Sequence, residues 1–365
     1  MIKKNQIVKI YGTDFKAITV ELLENTELEK LIGDRSTRIG IKPNLVVPSP
    51  AEYGGTTHPQ VIAGIIEYLQ EHGFENIIIA EGSWVGDRTS EAYEYCGYRQ
   101  LCETYHVPFV DTQKEKWHSI DCAGMKLSVT DVTDRIDFLI NVPVLKGHCQ
   151  TKVTCALKNL KGLLPNSEKS RFHRMGLHKP IAHLQAGIHQ DFIVIDHICG
   201  DLDFEEGGNP VVRNCIMAAL DPVLTDSYAC HLMHYTPDDV PYIRIAESLG
   251  IGTTDLTTAQ IISLGGKGEE KELPLDRRIL NVSYAVDEVD SCSACYASLI
   301  GALRRLDEEG ILSRLEDQIS IGQGFRGKTG KLGIGNCTAG FETSIRGCPP
   351  DEDTIYEKLK DYIGA

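Results

Sequence analysis

Four short runs along the chain are solidly apolar and end in polar residues: Arg38-Ile-Gly-Ile-Lys42, Asn76-Ile-Ile-Ile-Ala80, Asp137-Phe-Leu-Ile-Asn-Val142 and Asp191-Phe-Ile-Val-Ile195. Unbroken runs, as opposed to alternating ones, belong to strands covered on both faces of a parallel sheet. A helix is expected between the first two. Thr57 is placed to cap it and Pro59 falls in its first turn. Val61, Ile62, Ile65, Ile66 and Leu69 share one helical face, and Gly73 ends the helix after His72. Ile7 to Tyr11 reads as a further strand. The pattern predicts an α/β fold, a mostly parallel sheet with helices on both faces.

The polar residues at the run ends are Lys42 and Asn44, Glu81 and Ser83, Asn141, Lys146 and His148, and Asp196 and His197. Ligands bind at the carboxyl ends of the strands in open parallel sheets. Any one of these groups alone reads as a cap or a loop contact. Four such ends together point to a site.

The densest chemistry follows the third run. Lys146, His148, Lys152, Lys158 and Lys161 fall within sixteen residues, interleaved with Thr151, Thr154 and Asn159, and Arg171 and His173 come soon after. Such a cluster suits a phosphate or carboxylate. A helix whose lysines reach out from one solvated face is the competing reading, and it weighs evenly for Lys161 alone. It explains less well why Gly147 precedes His148 directly beyond a buried strand. The expected catalytic residues are Lys146, His148 and Asp196, and the expected ligand-binding residues are Lys42, Asn44, Glu81, Lys152, Lys158 and Asn159. Asp196, Asp201 and Asp203, with Glu205 and Glu206 just beyond, and Asp221 and Asp226 add carboxylates suited to proton transfer beside a carbonyl or to a divalent ion. Asp226 reads equally as a helix N-terminal residue. Gly82-Ser-Trp-Val-Gly86 lacks the spacing of a phosphate-binding loop, and no Gly-x-Ser-x-Gly surrounds a nucleophile. His173, His178, His183 and His189 lack metal-motif spacing.

Residues 276–365 read as a smaller C-terminal α/β module beside a large domain at 1–275, with 267–272 as a linker. Ile279 to Val286 is expected as a strand and Gln318 to Gly322 as a second. A helix is expected after Cys295, with Leu299, Ile300, Leu303 and Leu306 on one face, and a last helix turns Ile355, Leu359 and Ile363 inward. The module carries Cys292, Cys295, Cys337 and Cys348 at expected strand-to-helix turns. Four thiolates are what an iron-sulfur cluster or a tetrahedral zinc requires. The Cys348-Pro349 step and the wide separation of the last two cysteines favour a cluster, 4Fe-4S, with zinc as the alternative. The other eight cysteines show no paired spacing and read mostly as small buried hydrophobes.

The chain has 365 residues, 12 cysteines and a formal net charge of -15. That charge opposes nucleic acid or an anionic membrane as partner. No cleavable leader and no apolar stretch near ~18 residues is evident, so thiols kept reduced in the cytoplasm are expected.

Ile41-Lys-Pro-Asn-Leu45, Thr57-His-Pro59, Glu81-Gly-Ser83, Asn141-Val-Pro-Val-Leu-Lys146 with His148, and Leu157-Lys-Asn-Leu-Lys-Gly162 together resemble the uncharacterised iron-sulfur centre protein family, domain of unknown function 362. The resemblance spans residues 38 to 250. Members of that family often carry a ferredoxin-like segment with two cluster motifs, whereas this chain has a single set of four cysteines. The order of strand, Thr-His-Pro and Glu-Gly-Ser is also similar to the N-terminal domain of nickel-dependent lactate racemases, without carrying racemase chemistry across. The expected function is a redox enzyme or electron-transfer protein acting on a small anionic molecule, with a redox partner protein. The alternative is a non-redox lyase, isomerase or ligand-binding protein with a structural cluster or zinc.

Overall fold

The structure, a computed structural model, describes residues 1–208, 210–265, 273 and 278–364. The linker expected at 267–272 and the boundary expected between 275 and 276 lie outside the described residues. The chain divides into two compact units, residues 1–172 with 177–273, and residues 173–176 with 274–365.

The first unit is built on strands β1 (Gln6–Tyr11), β2 (Ile39–Lys42), β3 (Ile77–Glu81), β4 (Phe109–Asp111), β5 (Trp117–Cys122), β6 (Met125–Thr130), β7 (Phe138–Asn141), β8 (Lys146–His148), β9 (Lys152–Thr154), β10 (Phe192–Asp201), β11 (Pro210–Ala219) and β12 (Gln260–Ser263). Eight of them form one sheet in the order β12-β1-β11-β10-β7-β2-β3-β4. The four apolar runs become β10, β7, β2 and β3, adjacent and parallel. β11 is the antiparallel member, paired with β1 on one side and β10 on the other. The fold is therefore mixed α/β with a large, mostly parallel sheet.

Alternate residues of each strand enter two separate cores. Ile39, Ile41, Ile77, Ile79, Ile140, Phe192 and Val194 meet the helix Pro59–Glu71 on one face. Leu139, Ile193, Ile195 and Met217 meet the helices His178–Gly187 and Pro222–Leu232 on the other. Val61, Ile62, Ile65, Ile66 and Leu69 are buried, and left-handed Gly73 follows the helix end. The N-cap is His58, not Thr57. Thr57 instead gives its hydroxyl to the Val142 carbonyl at 2.9 Å and accepts from the Asn44 N–H, tying two strand ends together.

Two differences from the sequence reading matter for the site. β10 does not stop at Ile195 but runs to Asp201, with an irregularity between His197 and Cys199 against β11. Asp196 is thus a mid-strand residue. The lysine-rich segment is not one helix: β8 and β9 form a hairpin, followed by the short helix Ala156–Asn159 and a 3-10 turn, Leu160–Leu163. β-branched Thr151, Val153 and Thr154 disfavour a helix there. The Gly147 backbone lies so close to Leu202 that an added Cβ would fall 2.0 Å from the Leu202 carbonyl oxygen.

The second unit holds a four-stranded parallel sheet, β13 (Val286–Glu288), β14 (Ile319–Ile321), β15 (Leu332–Ile334) and β16 (Thr343–Ile345). Residues 278–283 are helical, so the expected strand begins only at Val286. The helix Ser293–Glu308 buries Leu299, Ile300, Leu303 and Leu306, and the helix Glu352–Tyr362 buries Ile355 and Leu359. Ile363 sits past the end of that helix, half-exposed, and adds little to the core.

Candidate anion site and cysteine centre

The carboxyl ends of β2, β3 and β7 bring Lys42, Glu81 and Asn141 together, as their register requires. Lys42 and Glu81 form a fully buried ion pair. Burial pushes the amine below and the carboxyl above their usual ranges, and each partner's charge opposes that push. Asn159 bridges the strand ends, accepting from Asn44 Nδ2 at 2.9 Å and donating to Asn141 Oδ1 at 2.7 Å.

Glu205, on the loop after β10, is the hub. His148 Nε2 lies 3.0 Å from its Oε2, Lys158 pairs with its Oε1, and its backbone carbonyl accepts from Lys146 Nζ at 2.7 Å. Burial alone would raise this carboxyl. Lys158, His148 and Lys146 override that and hold it well below the carboxylate range. Burial, with Lys158 beside it, pushes His148 down to about 4. The imidazole is therefore neutral near pH 7. Its Nδ1 accepts the N–H groups of Gln150 and Thr151 at 3.0 Å each, which leaves the proton on Nε2, facing Glu205.

Lys146 is completely buried, and burial pushes its amine down to about 8. It also donates to Asn44 Oδ1 at 3.2 Å and to the Gly55 carbonyl, so all three of its donors are engaged. Lys169 is buried too, donating to the Gly82 and Ser83 carbonyls at 2.8 Å each, and burial pushes it to about 8. Among the described residues, five lysines, 42, 146, 158, 161 and 169, gather here against the carboxylates of Glu81, Glu205 and Glu206.

The structure thus brings together Lys42, Asn44, Glu81, Lys146, His148, Lys158 and Asn159. It turns Lys152 away: this side chain is well exposed, 3.1 Å from Asp239 and over the Tyr235 ring. Asp196 is engaged elsewhere. Its Oδ2 accepts from the His58 N–H at 2.8 Å and lies 2.9 Å from His58 Nδ1. Burial opposes the imidazolium, but Asp196 holds His58 up at about 10. His197 lies opposite Cys215 within the sheet and is driven down to about 3 by burial and Arg213. Asp221 caps the helix Pro222–Leu232, while Asp226, inside that helix, caps a different one by accepting from the Ala156 and Leu157 N–H groups. Sequence reasoning noted Glu205 only beside the Asp196 to Asp203 carboxylates, not as the partner of His148 and Lys158, and it missed Lys169.

In the second unit Cys292 is the N-cap of Ser293–Glu308 and Cys295 lies in its first turn. Cys337 sits in the turn Asn336–Thr338 after β15, and Cys348 follows β16. Burial, then the neighbouring charges of Cys337 and Cys348, raise the Cys292 thiol. Burial and the other three cysteines push Cys295 up to about 12. Cys292, Cys337 and Cys348 thus lie near enough to Cys295 for their charges to act on it. Arg326 Nε is 3.4 Å from Cys337 Sγ, and Gln323 Nε2 is 3.8 Å from Cys292 Sγ.

At the opposite, amino edge of the large sheet, a cavity of about 250 Å³ is lined by His118, Thr133, Asp134, Asp137, His189 and Asp191 together with apolar side chains. His118, Asp131 and Asp134 bring three ligand atoms within 4.8 Å of one another. The sequence reading did not single out this group.

A family model described as "Domain of unknown function (DUF362)" matches residues 39–231. The chain belongs to that family. The matched span holds the whole lysine cluster and ends well before the four cysteines. The thylakoid-associated protein sll1697 of Synechocystis sp. is 24% identical over 230 residues, covering 60% of this chain and 69% of that protein. Among solved structures, the lactate racemase apoprotein from Thermoanaerobacterium thermosaccharolyticum superposes with a TM-score of 0.39 at 16% identity, covering 58% of this chain and 54% of that one. The chain thus spans about half the length of that racemase. No helix among the described residues is long and apolar enough to cross a membrane.

Proposed function

We propose that the large unit binds a small anionic molecule over the carboxyl ends of its parallel strands, and that the small unit holds one iron-sulfur cluster, 4Fe-4S. The whole then acts as a redox enzyme or electron-transfer protein in a reducing compartment, the cytoplasm, with a partner protein to exchange electrons. The observation that supports this reading is that Cys292, Cys337 and Cys348 lie near enough to Cys295, within one compact unit, for their charges to act on it. Donors at Arg326 and Gln323 suit thiolate sulfurs. When bound, the cluster would supply one-electron transfer.

The anion reading rests on the excess of lysines over carboxylates and on the amines that burial holds near 7 to 8. Amines kept partly discharged by their surroundings are recharged by an anion, which is a driving force for binding one. Of the expected catalytic residues, His148 with Glu205 is the pair we retain for proton transfer, while Lys146 clamps the loops and Asp196 holds His58. The test is anaerobic purification with metal and sulfide analysis. About four irons with matching sulfide per chain are expected; stoichiometric zinc without sulfide would overturn the cluster assignment.

A further inference from the structure

Lys161 differs from the lysines around it. Lys158 is paired with Glu205, Lys169 donates to two carbonyls, Lys42 faces Glu81, and Lys146 has three acceptors. The carboxylate that acts on Lys161, Glu205, does so by charge and not through a side-chain hydrogen bond. It is half-buried, so part of its surface stays open while the rest is enclosed.

The backbone that carries it is pinned. Thr112 donates to the Gly162 carbonyl at 2.7 Å, Thr130 donates to the Leu163 carbonyl at 2.8 Å, and the Leu164 N–H donates back to the Lys161 carbonyl at 3.1 Å. Gly162 is pressed against Glu81 so closely that an added Cβ would lie 2.4 Å from the Glu81 carboxylate. A rigid turn thus presents one amine beside cations. Burial, Lys158 and Lys169 together push this amine down to about 7, with Glu205 opposing. A desolvated lysine beside another cation is the arrangement that makes an amine nucleophilic at neutral pH.

We propose that Lys161 is the nucleophile of this site and forms a Schiff base with a small aldehyde or ketone that carries a carboxylate. This rests on the anion-site reading, since the carboxylate would have to compete with Glu205 for Lys158. The neutral Nζ adds to the carbonyl carbon, the C–N bond forms and the C–O bond breaks. The carbonyl oxygen leaves as water with both hydrogens of the amine, and the imine nitrogen remains bound to Lys161.

The experiment is reductive trapping. The full chain is incubated with glyoxylate or pyruvate and cyanoborohydride at pH 7, and modification is followed at each lysine by peptide mass spectrometry, with exposed Lys114 as the reference. Lys161 should be modified at least tenfold faster than Lys114, with a rate that levels off above about pH 7 to 8 while that of Lys114 keeps rising. Lys161→Arg, which keeps the charge, should remove the fast phase. Thermal stabilisation by oxalate, which has no aldehyde or ketone, reads the anion site separately. Stabilisation by oxalate without preferential trapping overturns the nucleophile and leaves the anion site standing. Preferential trapping without stabilisation supports the nucleophile and overturns the anion site as read. Absence of both overturns both.

Discussion

In the large unit most charges of the candidate site are met by protein groups: the Glu205 carboxylate takes His148 and Lys158, its backbone carbonyl takes the Lys146 amine, and Glu81 takes Lys42. In the small unit thiols meet thiols instead: burial, and then the neighbouring cysteines, keep Cys292 and Cys295 from ionising. The first constellation holds itself together before any ligand arrives. The second, once its thiols ionise, is a knot of like charges that only a cation or cluster can relieve. A ligand should therefore adjust the large unit and complete the small one.

The largest expected effect follows from that contrast. Replacing Cys292, Cys295, Cys337 or Cys348 singly by Ser should abolish stable metal incorporation, and a chelator should unfold the small unit while leaving the large one folded, seen as one lost and one retained thermal transition. Serine at Cys96, Cys102, Cys122, Cys155, Cys199, Cys215 or Cys230, all buried in the large unit, should leave metal content unchanged. A chelator that melts both transitions together would break the comparison.

Glu205→Gln comes next. It removes the negative charge that faces Lys158 and His148 and leaves a buried ammonium uncompensated, a loss of about 3 kcal/mol in urea unfolding. A loss under about 1 kcal/mol would show that solvent or ligand, not Glu205, balances the cluster. In the wild type, phosphate binding at pH 8 should take up protons, because an anion raises the amines of Lys146, Lys161 and Lys169 from values near 7 to 8. Calorimetry in buffers of different ionisation heat reads this uptake directly, and release of protons would reverse the sign and the interpretation.

The His58–Asp196 pair sets a pH window. A histidine raised from 6.5 to about 10 adds stability that is complete below about 6.5 and disappears as pH rises through about 10. Urea unfolding of the wild type should lose roughly 2 kcal/mol or more between pH 7 and 10 from this source, at 1.36 kcal/mol per pKa unit. His58→Gln should be less stable at pH 7 and show a flatter slope over that range. Equal slopes would assign the pH dependence to other groups.

How much of this was legible in the sequence follows the range of the interactions. The four apolar runs announced parallel strands, though not their order, because burial on both faces is written into each residue of a run. The four-cysteine proposal comes from thiol chemistry, which does not depend on what lies beside each residue in the chain. Glu205 could be noted only as a neighbour of the Asp196 to Asp203 carboxylates, since its partners His148 and Lys158 lie 57 and 47 residues away and no periodicity links them. Lys169 was missed for the same reason: its acceptors are the backbone of Gly82 and Ser83. Asp196 and His197 looked like a strand end because polar residues usually stop a buried strand. Here His58 satisfies Asp196, so the strand continues. The run from Ile279 was read as a strand although residues 278–283 coil into a helix, because a few apolar residues fit either period.

The smallest effect is the sharpest test of where the site ends. Lys152 and Lys158 are six residues apart in one lysine-rich segment, and charge counting along the sequence treats them alike. The structure separates them: Lys158 is buried against Glu205, while Lys152 is well exposed and pairs with an equally exposed Asp239. Exposed pairs contribute little, because water screens the attraction and two long side chains must be ordered to make it. Lys152→Ala should therefore change stability by no more than about 0.5 kcal/mol and leave the affinity for phosphate within about twofold, since an exposed charge is largely screened beyond about 8 Å at physiological salt. Lys158→Ala should weaken phosphate binding at least tenfold, as loss of one buried cation facing an anion costs upward of about 1.4 kcal/mol. Equal losses from the two replacements would mean that the anion is held by the field of the whole segment and not by the buried cluster around Glu205.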